Sequence, residues 1–132
     1  MTISVGVLDH FNVRTRKFHE TVRFYEDVLG LRSGPRPNFS EPGAWMYADD
    51  RPVVHLVDLT PSQEPQKPDS GVVHHVAFVS RGFDAMKTHL VAKGVEFRAV
   101  AVPGNRLWQI FVRDPNGVMV ELNYDAAAER AA

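Results

Sequence analysis

His10 and His75 lie 65 residues apart in this chain, and so do Phe18 and Phe83. Gly30 and Gly94 lie 64 apart, and His55 and Glu121 lie 66 apart. Recurrence at one offset across four features marks an internal repeat, and it constrains the fold more than any single motif, because the second half must reproduce the order of elements in the first. Each half reads as a strand, a helix and then about three strands. The same offset sets the Asp114 to Gly117 turn against residues 48–51.

In the first half, residues 7–13 read as a strand with His10, Asn12 and Arg14 on one face. Thr15 is placed to cap a helix over 16–29, where Phe18, Val22, Tyr25, Val28 and Leu29 recur at helical spacing and Gly30 ends the run. Residues 31–42 hold Gly34, Pro35, Pro37 and Pro42, which leaves room for an irregular strand and a loop. Strands over 43–47 and 52–59 then form a hairpin around 48–51. Residues 60–71 contain Pro61, Pro65 and Pro68 among polar side chains and read as an exposed linker. The pattern restarts with a strand over 72–79 and a helix over 83–93, with Phe83, Met86 and Leu90 inward and Gly94 at its end. Asp114-Pro115-Asn116-Gly117 is a tight turn, since Pro presets φ and Gly accepts positive φ. In the strand that follows, Met119, Glu121 and Asn123 share one face, while Val118, Val120 and Leu122 share the other.

The expected organisation is one α+β domain over 1–132: a first module at about 7–59, a linker at 60–71, a second module at about 72–125 and a tail at 126–132. Net charge is −1 and 44% of residues are hydrophobic, so the charge balance implies no nucleic-acid or anionic membrane partner. The chain has no cysteine, which excludes disulfides, zinc-thiolate sites and thiol catalysis and leaves any metal to His, Asp and Glu. Residues 1–5 lack a basic region followed by an apolar run, and no segment approaches the roughly 18 to 20 apolar residues of a membrane span. A cytoplasmic location is the default expectation.

Strand phase selects the candidate site. His10 and His75 hold equivalent places in the first strand of each half, and His55 and Glu121 hold equivalent places in the last. Imidazoles with a carboxylate suit Fe(II), Mn, Co, Ni or Zn, and a facial set of three leaves positions open for substrate. A lone strand histidine is more often a packed or surface residue, and it is the repeat-related placement of all four that favours ligation. His74 should face away from His75 by alternation, and His19 and His89 lie on the helices as solvated side chains. Trp45, Tyr47 and Trp108 either pack in the core or wall a substrate pocket. Asn12, Arg14, Arg36, Asn105, Arg106 and Asn123 either bind a polar or anionic group or are ordinary surface residues, and the sequence does not choose.

Four stretches carry a family resemblance: Leu8-Asp9-His10; Phe24-Tyr25-Glu26-Asp27-Val28-Leu29-Gly30-Leu31; His75-Val76-Ala77-Phe78; and Phe111 to Gly117 leading into Val120-Glu121-Leu122. From about residue 7 to 124 the chain resembles the vicinal-oxygen-chelate superfamily, which includes glyoxalase I, extradiol dioxygenases, methylmalonyl-CoA epimerases and fosfomycin and bleomycin resistance proteins. The resemblance implies a glyoxalase-like fold, with two βαβββ modules forming a curved, partly open mixed sheet around one divalent metal. It carries ligand roles onto His10, His75 and Glu121 directly and onto His55 by position. Bacterial-type glyoxalase I usually has Glu where this chain has His55, so carboxylates on both sides of the substrate are not reproduced. Ring-cleaving oxygenases resemble this chain in using His, His and Glu, but they add a Tyr near the last ligand, where this strand reads Trp108-Gln109-Ile110-Phe111-Val112.

These features lead to an enzyme that chelates vicinal oxygens of a small organic substrate on a metal, with Glu121 as ligand and general base. Isomerase or lyase chemistry of the lactoylglutathione-lyase kind is the first expectation. An Fe(II) extradiol-type dioxygenase, with His55 as an acid/base residue beside the triad, is the alternative, and an antibiotic-binding resistance protein is a third. Halves joined by a linker can pair within one chain or between two, and the resemblance, in a superfamily where dimers are common, implies a homodimer.

Overall fold

The computed structural model describes residues 2–4 and 7–131; part of the N-terminal stretch read above therefore lies outside the described residues. The chain divides into two compact units, Met1–Gln66 and Lys67–Ala132, and the division falls inside the linker. Each unit carries one four-stranded mixed sheet, and the two sheets are α+β in the same βαβββ order.

In the first unit, β1 (Phe11–Thr15) runs parallel to β4 (Arg51–Asp58). β3 (Gly43–Ala48) pairs antiparallel with β4, and β2 (Arg32–Gly34) pairs antiparallel with β3, giving the order β1-β4-β3-β2. The β3–β4 hairpin turns where it was expected, with Asp49 at positive φ. β1 begins four residues later than residue 7 because its ladder to β4 starts only at Phe11, opposite Val54. Val7 and Leu8 stay exposed ahead of it.

The helical segment is also shorter than periodicity suggests. Thr15 does not cap it: its hydroxyl accepts the Lys17 N–H, and Lys17 itself stands at the N-cap of α1 (Phe18–Arg23). Phe24–Val28 then continues as a π-helical turn, with Leu29 N–H bonded to Phe24 O. That widening lets adjacent aromatic residues, Phe24 and Tyr25, both bury against the sheet. Gly30 follows at positive φ, as a C-terminal glycine should.

The second unit repeats this plan. β5 (Val76–Ser80) runs parallel to β8 (Met119–Asp125), β7 (Leu107–Arg113) pairs antiparallel with β8, and β6 (Arg98–Val100) pairs antiparallel with β7. α2 (Phe83–Ala92) buries Phe83 and Leu90. β5 opens at Val76 and not at 72, since its ladder begins with Val76 opposite Val120. In β8 the alternation holds: Val120, Leu122 and Tyr124 are buried, and Glu121 and Asn123 lie on the other face.

The Asp114 to Gly117 turn is locked by the buried Asp114 carboxylate, which accepts the N–H groups of Asn116 and Val118. The tail contains a helix, α3 (Ala126–Ala131), started by Asp125 accepting the Ala128 N–H. Glu129 reaches back and accepts the N–H groups of Gly82 and Phe83 at 3.1 and 2.7 Å. These are donors that the first turn of α2 leaves without helical partners.

Candidate functional site

The sheet registers place the four candidate ligands by one rule. On β1, Asn12 is opposite His55, and His10 precedes Asn12 by two residues. On β5, Ala77 is opposite Glu121, and His75 precedes Ala77 by two residues. Each unit presents its first histidine beside its last-strand donor, His10 against His55 and His75 against Glu121. Both histidines stand just ahead of their strands and not within them.

In the second unit, His75 Nε2 is 3.7 Å from Glu121 Oε1. That is too long for a hydrogen bond, but two donors each about 2.1 Å from a shared cation lie at most about 4.2 Å apart, so the pair fits a metal. Glu121 is mostly buried, and its other oxygen accepts from Asn123 Nδ2 at 2.9 Å. Asn123 Oδ1 in turn accepts from Gln109 Nε2 at 3.2 Å. This Gln109–Asn123–Glu121 chain fixes the carboxylate and leaves Oε1 toward His75. Sequence reasoning gave Gln109 and Asn123 no role; the signal was that both lie on the Glu121 face of paired strands.

His74 does not turn away from His75. The two residues precede β5, where alternation is not enforced, and their Nδ1 atoms are 3.0 Å apart with the rings edge to face. One Nδ1 must donate to the other. Where His75 is the donor, its Nε2 carries the lone pair that faces Glu121.

In the first unit, the rings of His10 and His55 stack at 3.6 Å with an interplanar angle of 10°, and Trp45 stacks on the other side of His55 at 4.0 Å. Trp45 is directly opposite His55 on β3, which is why the sequence puts the two rings in contact. His10 Nδ1 bonds the Asp9 carboxylate at 2.5 Å, so the proton sits on Nδ1 and Nε2 is left as a donor for a metal. This bond holds the Asp9 carboxyl below the usual carboxylate range. His55 Nε2 donates to Pro52 O at 3.0 Å, leaving Nδ1 as its donor atom. Burial pushes the His55 imidazole below its ordinary value.

A metal lies in the plane of each imidazole that binds it. Two nearly parallel rings 3.6 Å apart share no such point at a metal–nitrogen distance of about 2.1 Å, so joint ligation requires one ring to rotate out of the stack. The donor chemistry fits a borderline divalent ion, with pairs His10/His55 and His75/Glu121. Among the described residues, no three His, Asp or Glu side chains are gathered as a ready cluster.

A cavity of about 550 Å³ opens on the first unit, lined among others by Asp9, His10, Arg36, Phe39, Trp45 and His55. Trp45 therefore walls a pocket. Tyr47 instead donates to Pro35 O at 2.5 Å, and Trp108 packs on Phe83 in the second unit. Tyr124, three residues beyond Glu121, is on the core face of β8, where burial pushes its phenol up to about 12. Arg14 bonds Glu41 and Glu64, and these carboxylates raise its pKa further above the ordinary arginine value.

A family model described as the Glyoxalase/Bleomycin resistance protein/Dioxygenase superfamily matches residues 7–122. "Glyoxylase I 4" of Arabidopsis thaliana is 29% identical over 121 residues, which span 87% of this chain and 68% of that protein. Among solved structures, a Bacillus anthracis protein described as of the glyoxalase family superposes with a TM-score of 0.74 at 23% identity, covering 95% of this chain and 99% of that one. The fosfomycin resistance protein FosX of Listeria monocytogenes superposes with a TM-score of 0.72 at 14% identity, covering 96% and 99%. At those identities the two structures speak for the fold alone.

Proposed function

The chain belongs to the glyoxalase/bleomycin resistance protein/dioxygenase superfamily, and from that premise we propose that it is a divalent-metal-dependent enzyme of the isomerase or lyase kind, acting on a small organic substrate with adjacent oxygens. The observation that carries the reading is the matched register: His10 beside His55 and His75 beside Glu121, each histidine two residues ahead of the partner of its strand donor. The relative named for glyoxylase activity supports the lyase choice.

His10, His55, His75 and Glu121 would hold the ion, which when bound polarises substrate oxygens and makes a neighbouring C–H more acidic. Glu121 is also the candidate base: with Oε2 tied to Asn123, Oε1 would be the ion's ligand and, once loosened from it, would accept the proton, in a mostly buried position that keeps competing water away. His55 would serve through Nδ1, since its Nε2 is committed to Pro52 O.

The test is hydrogen exchange. A panel of hydroxycarbonyl compounds, including the hemithioacetal of a 2-oxoaldehyde and glutathione, is incubated in deuterated water and followed by NMR. Exchange or isomerisation that disappears in Glu121→Gln supports the reading. Oxygen consumption with catechols by an anaerobically prepared Fe(II) form, without exchange, replaces it with the dioxygenase reading. The Trp45–His55–His10 stack in the cavity favours one further reading, a protein that binds a flat drug without chemistry. Tight binding of such a compound by chain that has no affinity for metal would establish it.

A further inference from the structure

Arg36 lies in the loop after β2 and lines the cavity of the first unit. Its Nη2 donates to Glu41 O at 2.8 Å, and its guanidinium carbon sits 5.0 Å from the centroid of the Phe39 ring. Gly43 lies beside it, but a Cβ there would first meet Leu56 O at 2.1 Å, so the sheet and not the arginine requires the glycine. The side chain is thus held in place by a carbonyl and a ring. Neither neutralises it.

The other charged groups of that cavity are matched. Asp9 bonds His10 at 2.5 Å, and Glu41 bonds Arg14 at 3.2 Å. Arg36 has no carboxylate partner among the described residues, and its Nε is buried without any hydrogen-bond partner. Nε is closed off from the cavity, so it marks a guanidinium that the protein's own acceptors leave incompletely bonded, and that charge becomes favourable when an anion in the cavity meets its remaining N–H groups. The guanidinium fork matches planar oxyanions, and the rings of Phe39 and Trp45 line the same space.

We propose that Arg36 is the anion-recognition residue of this cavity, and that the substrate is a small organic anion whose carboxylate or phosphate-type group meets Arg36 while its flat or apolar body lies along Phe39 and Trp45. This deepens the functional reading above and rests on it for the reacting end; recognition of the anion itself requires no metal. The geometry makes Arg36 a residue that touches substrate and selects for charge.

Benzoate and its neutral isostere benzamide are suitable probes, titrated by NMR into isotope-labelled full-length chain with excess EDTA and again without it. The wild type is expected to prefer benzoate by about tenfold or more, the scale of a charge-assisted pair, in both conditions. Arg36→Gln should abolish that preference while binding benzamide as before, and Arg36→Lys should keep part of it. The proposal is overturned if the wild type shows no preference, if the preference vanishes in EDTA, if Arg36→Gln retains it, or if folded Arg36→Lys binds no better than Arg36→Gln. Parallel loss of both ligands in Arg36→Gln would show a structural role and also overturn it. A chain that binds no metal but keeps the preference overturns the metal reading and leaves this one intact.

Discussion

Glu121 Oε1 stands 3.7 Å from His75 Nε2, while its second oxygen is committed to Asn123 at 2.9 Å. A carboxylate held by one oxygen presents the other at a fixed place, so the support chain on β7 and β8 contributes to ligation through Glu121. Replacing Asn123 with Ala should weaken metal binding by about tenfold, the lower end of what outer-shell changes to metal ligands cause. Gln109→Ala should do less, because it acts through Asn123. Competition titration against a chromophoric chelator measures both, and unchanged affinity in Asn123→Ala would remove the positioning role.

His55 gives a pH dependence whose sign is fixed. Its folded-state pKa lies below its ordinary value of about 6.5, so on acidification the unfolded chain takes up the proton first. Its contribution to stability is full above that ordinary value and is lost as pH falls from there toward the folded pKa. Urea denaturation between pH 8 and 5 in the presence of EDTA should show stability declining over this window, and His55→Gln should flatten that part of the profile. An equal decline in both proteins would assign the effect elsewhere.

The ends of the elements show what the sequence does and does not carry. The repeat, the β3–β4 hairpin, the turn at Asp114 and the outward phase of Glu121 were readable because each depends on local chemistry or on a period of two. The starts of β1 and β5 were not, since they depend on where β4 and β8, some 45 residues downstream, offer a partner. His74 meets His75 for the same reason: alternation lapses where the ladder does. The bond between Asp9 and His10 and the stack of Trp45 on His55 join residues that were individually visible. Their contact needed rotamers and cross-strand register that periodicity does not encode.

Glu129 offers a test of the tail. Its carboxylate accepts two N–H groups at the start of α2, so Glu129→Ala should cost about 1–2 kcal/mol. A fall of a few degrees in Tm by differential scanning calorimetry is the expected result. Deleting residues 126–132 should give a similar or larger loss. No change in either variant would mean that α3 does not support the second unit in solution.

Subunit organisation is open to a direct test. A homodimer is expected at micromolar concentration by light scattering, with the metal site at or near the subunit contact. Mixing His10→Ala chains with Glu121→Ala chains then asks where the ligands come from. If opposite halves of different chains build a site, bound metal returns in mixed dimers; if each site is built within one chain, none returns. A monomer by light scattering contradicts the dimer.

The central claim is that His10, His55, His75 and Glu121 bind one divalent ion. Elemental analysis after equilibration with Fe(II), Ni, Co, Mn or Zn and gel filtration, on protein carrying no metal-binding tag, tests it most directly. The account predicts about one ion per chain for the wild type, most of it lost in His75→Ala and a smaller loss in His74→Ala, which removes only the ring against His75 Nδ1, with both variants folded by circular dichroism. A wild-type chain that holds no ion, or a His75→Ala chain that holds as much as the wild type, contradicts it.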